Sequence, residues 1–194
     1  MGLIHAINVS SAIGYTWEAL GLVWLAGLAF TKRTVRRQPT GARLFHLALA
    51  LTGFTMLGSH WFEYGWFAAR FVPSSSALEL AGLAITIAGC LFAIWARLML
   101  GSNWSGQATV KAGHELVVKG PYALARHPIY TGLITGAMGT ALAIGQMRCI
   151  FGLIIIVLAL MIKMSQEERL LTQAFPDAYT AYRRRVKALI PGLL

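Results

Sequence analysis

Two stretches of the sequence concentrate side chains with chemical capacity. One is a loop that reads Gln107, His114-Glu115-Leu116-Val117, Gly120-Pro121-Tyr122 and Arg126-His127-Pro128-Ile129-Tyr130. In the other, Lys163 stands four residues before Glu167, hence on one face of a helix, with Glu168 about a quarter-turn away. The Lys-before-Glu order is the weaker orientation for a helical ion pair, which weakens the reading of a plain surface pair without removing it. The loop's histidines and tyrosines equally suit an anchor at a membrane interface. No metal is indicated, because His114 and His127 stand far apart with no cysteine or third ligand nearby. Neither a glycine-rich dinucleotide fingerprint nor a phosphate loop is present. Cys90 and Cys149 fall in or at the ends of apolar runs, as packing residues do, and set up no disulfide framework.

The elements that must position these groups are set by composition. The 194 residues are 57% hydrophobic and 12% charged, with a mean hydropathy of +0.62, which excludes an ordinary water-soluble domain. Each bilayer crossing consumes roughly 20 apolar residues, so the chain reads as one all-α polytopic membrane domain, 1–194. Five spans are expected, near 11–31, 44–64, 77–100, 129–146 and 148–164. Residues 1–100 then hold three N-terminal spans, and 101–194 a small cytosolic lobe, a tight hairpin of spans four and five, and a C-terminal helix.

Local signals sharpen these bounds. Ser76 and Glu79 have capping-box spacing at the start of the third span. Pro128 suits the first turn of the fourth, with His127 at its N-cap. Gly132, Gly136 and Gly139 give that helix a small-residue face, expected to admit the fifth helix closely. The fifth helix keeps helical spacing beyond Met164 and projects from the membrane. Pro176 opens a short amphipathic helix in which Tyr179, Tyr182, Val186 and Leu189 recur at helical spacing, suited to an interface. Alternation around Val110, Leu116 and Val118 predicts a short extended or hairpin-like segment within the loop.

The net charge of +10 would suggest nucleic acid in a soluble chain, but its placement points elsewhere. With five crossings, 15 of the 17 basic residues fall on one side and only Arg70 and Arg148 on the other. That side is the cytoplasm, which puts the N-terminus outside and the C-terminus inside. The basic excess then expresses topology and attraction to membrane lipids, with no nucleic-acid partner. Basic residues follow the first apolar run rather than precede it, as for a retained span and unlike a cleaved leader. The spans themselves are nearly empty of ionisable groups, Glu18 excepted, unlike those of a transporter. At the outer end of the second span, His60 and Glu63 are expected to bond each other or the outer water.

The ordered pieces Gln107, His114-x-Leu116-Val117, Gly120-x-Tyr122 and Arg126-His127-Pro128-x-Tyr130, followed by Glu167-Glu168-x-x-Leu171, Phe175, Tyr179 and Tyr182, resemble the isoprenylcysteine carboxyl methyltransferase family. That family shares its C-terminal signature with membrane phospholipid methyltransferases. The resemblance covers about 101–191 and implies S-adenosylmethionine bound without a Rossmann domain, in a cytosolic pocket between the loop and the last membrane helix. By position it carries cofactor binding to Gln107, His114, Leu116, Val117, Tyr122, His127, Pro128, Tyr130 and Glu167. Glu167 would take the cofactor's ammonium group, while tyrosines and Leu116-Val117 cover the adenine and sulfonium. Lys163 stands where the family has an arginine associated with the substrate carboxylate; it keeps the charge and loses the two-pronged geometry.

The implied reaction is methyl transfer to a lipophilic, prenylated acceptor, with Lys163 and Glu167 as the catalytic pair. A carboxylate acceptor is already ionised and needs no base, so positioning does the work. A phospholipid headgroup amine, the alternative acceptor, would have to lose a proton first, with His127 or Glu168 as base. A noncatalytic scaffold or channel, using the hairpin for packing alone, is the third reading.

Overall fold

A computed structural model of the chain describes residues 8–29, 34–37, 40–101, 109–111 and 116–189. Helices carry the fold: α1 (Val9–Leu28), α2 (Thr40–Gly58), α3 (Ser76–Leu100), α4 (Pro128–Ile144), α5 (Met147–Ala174) and α6 (Pro176–Arg185). Short 3-10 turns occupy His60–Phe62, Gly65–Ala68 and Gly120–Ala123. Among the described residues, α3 and α5 are long and apolar enough to cross a bilayer, while Leu44–Gly58 and α4 are apolar but shorter. The second helix therefore stops at Gly58, and 3-10 turns fill the remainder of the stretch expected to be helical through residue 64.

The glycines of α4 meet α3, and the expectation that they admit the fifth helix is corrected. A Cβ on Gly89 of α3 would lie 2.6 Å from the Gly132 carbonyl oxygen, and one on Gly139 would lie 2.6 Å from that of Gly82. With both faces stripped of side chains, the two backbones close on each other. Thr86 and Thr140, both fully buried in this seam, place their hydroxyls 3.2 Å apart, and Trp17 Nε1 of α1 donates to Thr140 at 3.0 Å. The α4-to-α5 connection is as short as expected, because left-handed Gly145 (φ 71°) ends α4 and Gln146 starts α5. The helices it joins nonetheless choose different partners. α5 lies against α2, where Gly53 and Gly152 repeat the small-residue approach.

Two further expectations are corrected. The extended segment of the loop, β2 (Thr109–Lys111), pairs antiparallel with β1 (Thr34–Arg37) from the first loop, with Arg36 opposite Val110, in place of a hairpin within its own loop. The N-cap of α3 is Ser75, one residue before the capping-box serine, and no side chain caps there; Ser74 Oγ instead donates to Glu79 at 3.4 Å. His60 and Glu63 do bond each other, at 2.7 Å.

Buried guanidinium groups close helix ends whose carbonyls carry the negative pole of the dipole. Arg148 Nη1 donates to Met56, Leu57 and Ser59 carbonyls at 2.9 to 3.1 Å. Arg97 bridges the ends of α1 and α3 through Gly27 and Gly101 carbonyls, at 2.9 and 3.0 Å.

Candidate active site

The site is built where three elements meet: the N-terminus of α4, the polar end of α5, and the segment after α6. Pro128 at the first position of α4 costs no hydrogen bond, and His127 stands at the N-cap as expected. Carbonyls of the C-terminal segment take the amides there: Arg126 N donates to Lys187 at 2.8 Å and His127 N to Ala188 at 2.9 Å. Thr131 Oγ1 adds a bond to the Leu189 carbonyl at 2.7 Å. α6 turns its apolar face into the protein, where Tyr179 and Tyr182 are buried and the Tyr182 hydroxyl donates to the Tyr122 carbonyl at 2.5 Å. Burial pushes the Tyr182 phenol up to about 12, so it stays a donor at neutral pH.

The apolar run of α5 gives way at Ser165, and Glu167 and Glu168 project beyond it toward the loop. Adjacent helical positions point in directions about 100° apart, and the two carboxylates accordingly find different company. Glu168 is held tightly. Arg126 grips its Oε1 through Nε at 3.0 Å and Nη2 at 2.6 Å, with His127 Nε2 at 3.3 Å. The same guanidinium reaches the Val186 carbonyl at 2.6 Å, tying the tail to the loop. Glu167 is held loosely, with His127 Nδ1 3.6 Å from Oε2 and Lys163 Nζ 3.7 Å from Oε1. Those separations exceed the 2.7–3.2 Å range of a good hydrogen bond, so neither cation grips the carboxylate as Arg126 grips Glu168. The Tyr130 hydroxyl also faces it.

Aromatic rings complete the wall. His127 stacks on Tyr130 with centroids 5.3 Å apart and planes 1° from parallel, and Lys163 Nζ lies 5.4 Å from the centre of the Tyr130 ring. Tyr122, Ile129, Tyr130 and Ala96 form a buried cluster, with Val117 and Met164 packed against it.

Charge states follow from these contacts. Burial opposes ionisation of His127, but hydrogen bonds and charges from both glutamates outweigh it and raise its pKa above the usual 6.5. Burial likewise opposes the Glu168 carboxylate, yet His127 and Arg126 bring its pKa to about 2. Against the same penalty, the Lys163 charge and then the His127 hydrogen bond keep Glu167 below its ordinary value. The cluster sets two carboxylates among the cations Arg126 and Lys163 and an imidazole biased toward its protonated form.

Of the residues expected at the site, His127, Tyr130, Lys163 and Glu167 converge directly. Tyr122 and Val117 back Tyr130, Pro128 is fully buried, and Leu116 is half-buried. Gln107 and His114 lie outside the described residues. Lys163 is 14% exposed at its side chain, so its pairing with Glu167 is no open surface contact. Sequence reasoning gave no role to Arg126 and none to the segment after α6. The usable signal was Glu167-Glu168 itself, since adjacent carboxylates near a buried wall need separate cationic partners. Among the described residues no three His, Cys, Asp or Glu side chains are grouped as metal ligands.

Residues 82–173 match the family model of the isoprenylcysteine carboxyl methyltransferase (ICMT) family. Protein-S-isoprenylcysteine O-methyltransferase of Schizosaccharomyces pombe is 32% identical over 110 residues, 48% of this chain and 46% of that protein. Cobalt-zinc-cadmium resistance protein CzcN of Cupriavidus metallidurans is 28% identical over 123 residues, 62% of this chain and 51% of its own length. Nickel-cobalt-cadmium resistance protein NccN of Alcaligenes xylosoxydans xylosoxydans is 30% identical over 118 residues, 60% and 53% of the two chains. The chain spans about half the length of the curated relatives it matches.

Proposed function

From the premise that residues 82–173 belong to the isoprenylcysteine carboxyl methyltransferase family, we propose that the chain is a membrane-embedded enzyme transferring a methyl group from S-adenosylmethionine to the carboxylate of a lipophilic, prenylcysteine-like acceptor. The observation that carries this reading is the division between Glu168, gripped by Arg126 at 2.6 Å, and Glu167, met by His127 and Lys163 only at 3.6 and 3.7 Å, beside a stacked His127–Tyr130 wall.

The residues present fit the cofactor. Glu167, with His127 at 3.6 Å, Lys163 at 3.7 Å and the Tyr130 hydroxyl as its neighbours, can accept the ammonium of an amino acid moiety. Tyr122, Tyr130, His127, Leu116 and Val117 supply aromatic and apolar cover, with Pro128 fixing the turn that presents them. Gln107 and His114 complete the set by family position. When bound, S-adenosylmethionine supplies an electrophilic sulfonium methyl group. Lys163 orients the acceptor carboxylate with a single point charge, and the buried wall excludes water.

Carboxylate chemistry is favoured over amine chemistry by the charge states of the site. An amine acceptor needs a base, but His127 is biased toward its protonated form and Glu168, at about 2, holds no appetite for a proton. A carboxylate acceptor asks neither of them for one.

In the membrane the reading places five crossings, the N-terminus outside and the site on the cytoplasmic face. The water-soluble cofactor then enters from the cytosol and the acceptor from the bilayer, within one domain whose second half, 101–194, carries the pocket. The metal-resistance names of CzcN and NccN supply no acceptor for this chemistry. The test is transfer from radiolabelled S-adenosylmethionine in nanodiscs, to a prenylcysteine analogue or to phosphatidylethanolamine. Base-labile label on the analogue, released as methanol, is expected; base-stable label on phosphatidylethanolamine alone would overturn carboxyl transfer.

A further inference from the structure

Away from that pocket, α5 carries a second surface with a polarity break at one level. Phe151, Ile154, Leu158 and Met161 recur at alternating steps of three and four residues, so they share one helix face. They are 37%, 49%, 50% and 47% exposed. The same progression continues through Ser165, Glu168 and Thr172, where a cleft of about 540 Å³ opens between α5 and α6, also lined by Arg169, Gln173 and Arg183. At 1.5 Å per residue the apolar stripe covers about 15 Å, half of a hydrocarbon core about 30 Å thick. The cleft begins one turn further on, at the depth of headgroups.

The cleft's charge is positive. Glu168 is already neutralised from behind by Arg126 and His127. Arg183 is 59% exposed at its side chain, with only Nε near Glu168, at 3.7 Å. Arg169 is exposed and makes no ion pair or hydrogen bond with a described residue. Ser165 and Thr172 spend their hydroxyl protons on their own helix, at Met161 and Glu168 carbonyls, which leaves the arginines as the donors for a ligand.

We propose that this face is a binding site for one anionic phospholipid of the inner leaflet, its phosphate between Arg169 and Arg183 and an acyl chain along Phe151 to Met161. The site lies on the face of α5 that carries Phe151 to Met161, meets the methyl-transfer cluster at Glu168, rests on α5 crossing the bilayer, and needs no cofactor to be occupied.

Native mass spectrometry of the full chain in detergent, titrated with phosphatidylglycerol or phosphatidylcholine and without S-adenosylmethionine, tests it. One phosphatidylglycerol is expected to bind in preference to phosphatidylcholine, and Arg169→Gln with Arg183→Gln to weaken it at least about tenfold. Leu158→Gln should weaken it as well, and inorganic phosphate should not displace the lipid. Equal binding of both lipids, unchanged binding in the double variant, or displacement by inorganic phosphate would overturn the proposal. Arg169→Gln alone, on an exposed position, serves if the double variant does not fold. Absence of methyl transfer with phosphatidylglycerol binding intact would fault the enzymatic reading and leave this one standing.

Discussion

The α3–α4 seam and the cluster at the polar end of α5 solve opposite problems. In the seam, Gly82, Gly89, Gly132, Gly136 and Gly139 remove side chains so that backbones meet, and the buried hydroxyls of Thr86 and Thr140 bond each other and helix carbonyls, with Trp17 Nε1 donating to Thr140. In the cluster, long charged side chains fasten together the start of α4, the polar end of α5 and the tail beside a shared apolar wall. The seam depends on volume, which pH and salt do not alter, whereas the cluster depends on charge states that pH does alter. Rigidity at the seam fixes where α4 begins, and α4's first residue fixes where His127 stands. Adjustment with pH is thereby confined to the end of the bundle that holds His127 and Glu168.

The largest expected effect is on the seam. Gly89→Leu puts a side chain against the Gly132 carbonyl and the backbone of Gly136, atoms that have no rotamer to change, so its cost exceeds the roughly 1–3 kcal/mol of ordinary overpacking. Monodisperse protein should be lost on size-exclusion chromatography. Recovery of folded protein at wild-type yield would mean the helices are not in such close approach. Arg126→Ala comes next, since it leaves Glu168 with His127 at 3.3 Å and Arg183 at 3.7 Å and frees the Val186 carbonyl; losing hydrogen bonds to a charged group costs about 1.5–3 kcal/mol. Hydrogen exchange should then quicken across the tail, 186–189, while the seam stays protected.

Lys163→Ala should raise the acceptor's KM or lower kcat by about tenfold, the worth of one charged hydrogen bond, with S-adenosylmethionine affinity near normal. An equal loss of cofactor affinity would contradict the division of labour between Lys163 and Glu167.

Smaller effects follow from titration. His127 has a raised folded pKa, so its contribution to stability is full below about pH 6.5 and is lost as pH rises through the higher folded value. Glu168 works in the other direction: its contribution is full above the ordinary 4.5 and is lost as pH falls toward about 2. Melting temperature should therefore plateau between those limits, and His127→Asn should flatten the alkaline limb, a change of a few degrees for roughly 1 kcal/mol. Least of all, Ser75→Ala should leave stability within about 0.5 kcal/mol, because no side chain caps α3; a larger loss would reinstate a serine cap.

How much was legible before the structure divides along the same line. Helix positions, the His127–Pro128 start of α4 and the continuation of α5 past Met164 follow from periodicity and from proline's missing amide, both local properties. The convergence of His127, Tyr130 and Glu167 came from ordered motif spacing and the family resemblance. Which helix the α4 glycines face was not legible, since a small-residue stripe says only that something comes close. The partner of β2 was hidden for a similar reason: Thr34–Arg37 carries no alternation that names its mate. Arg126 read as one more inward-side cation, and only the geometry of the Glu167-Glu168 pair separates a charge that sets topology from one that fastens a tail.

Isothermal titration calorimetry of S-adenosylmethionine against the nanodisc-embedded chain, with Glu167→Ala and His127→Ala beside it, tests the central claim most directly. Saturable binding by the wild type, weakened at least about tenfold in both variants, is the expected result. Binding that is absent in the wild type, or unchanged when both Glu167 and His127 are replaced in turn, would contradict a cofactor pocket at the junction of α4, α5 and the C-terminal segment.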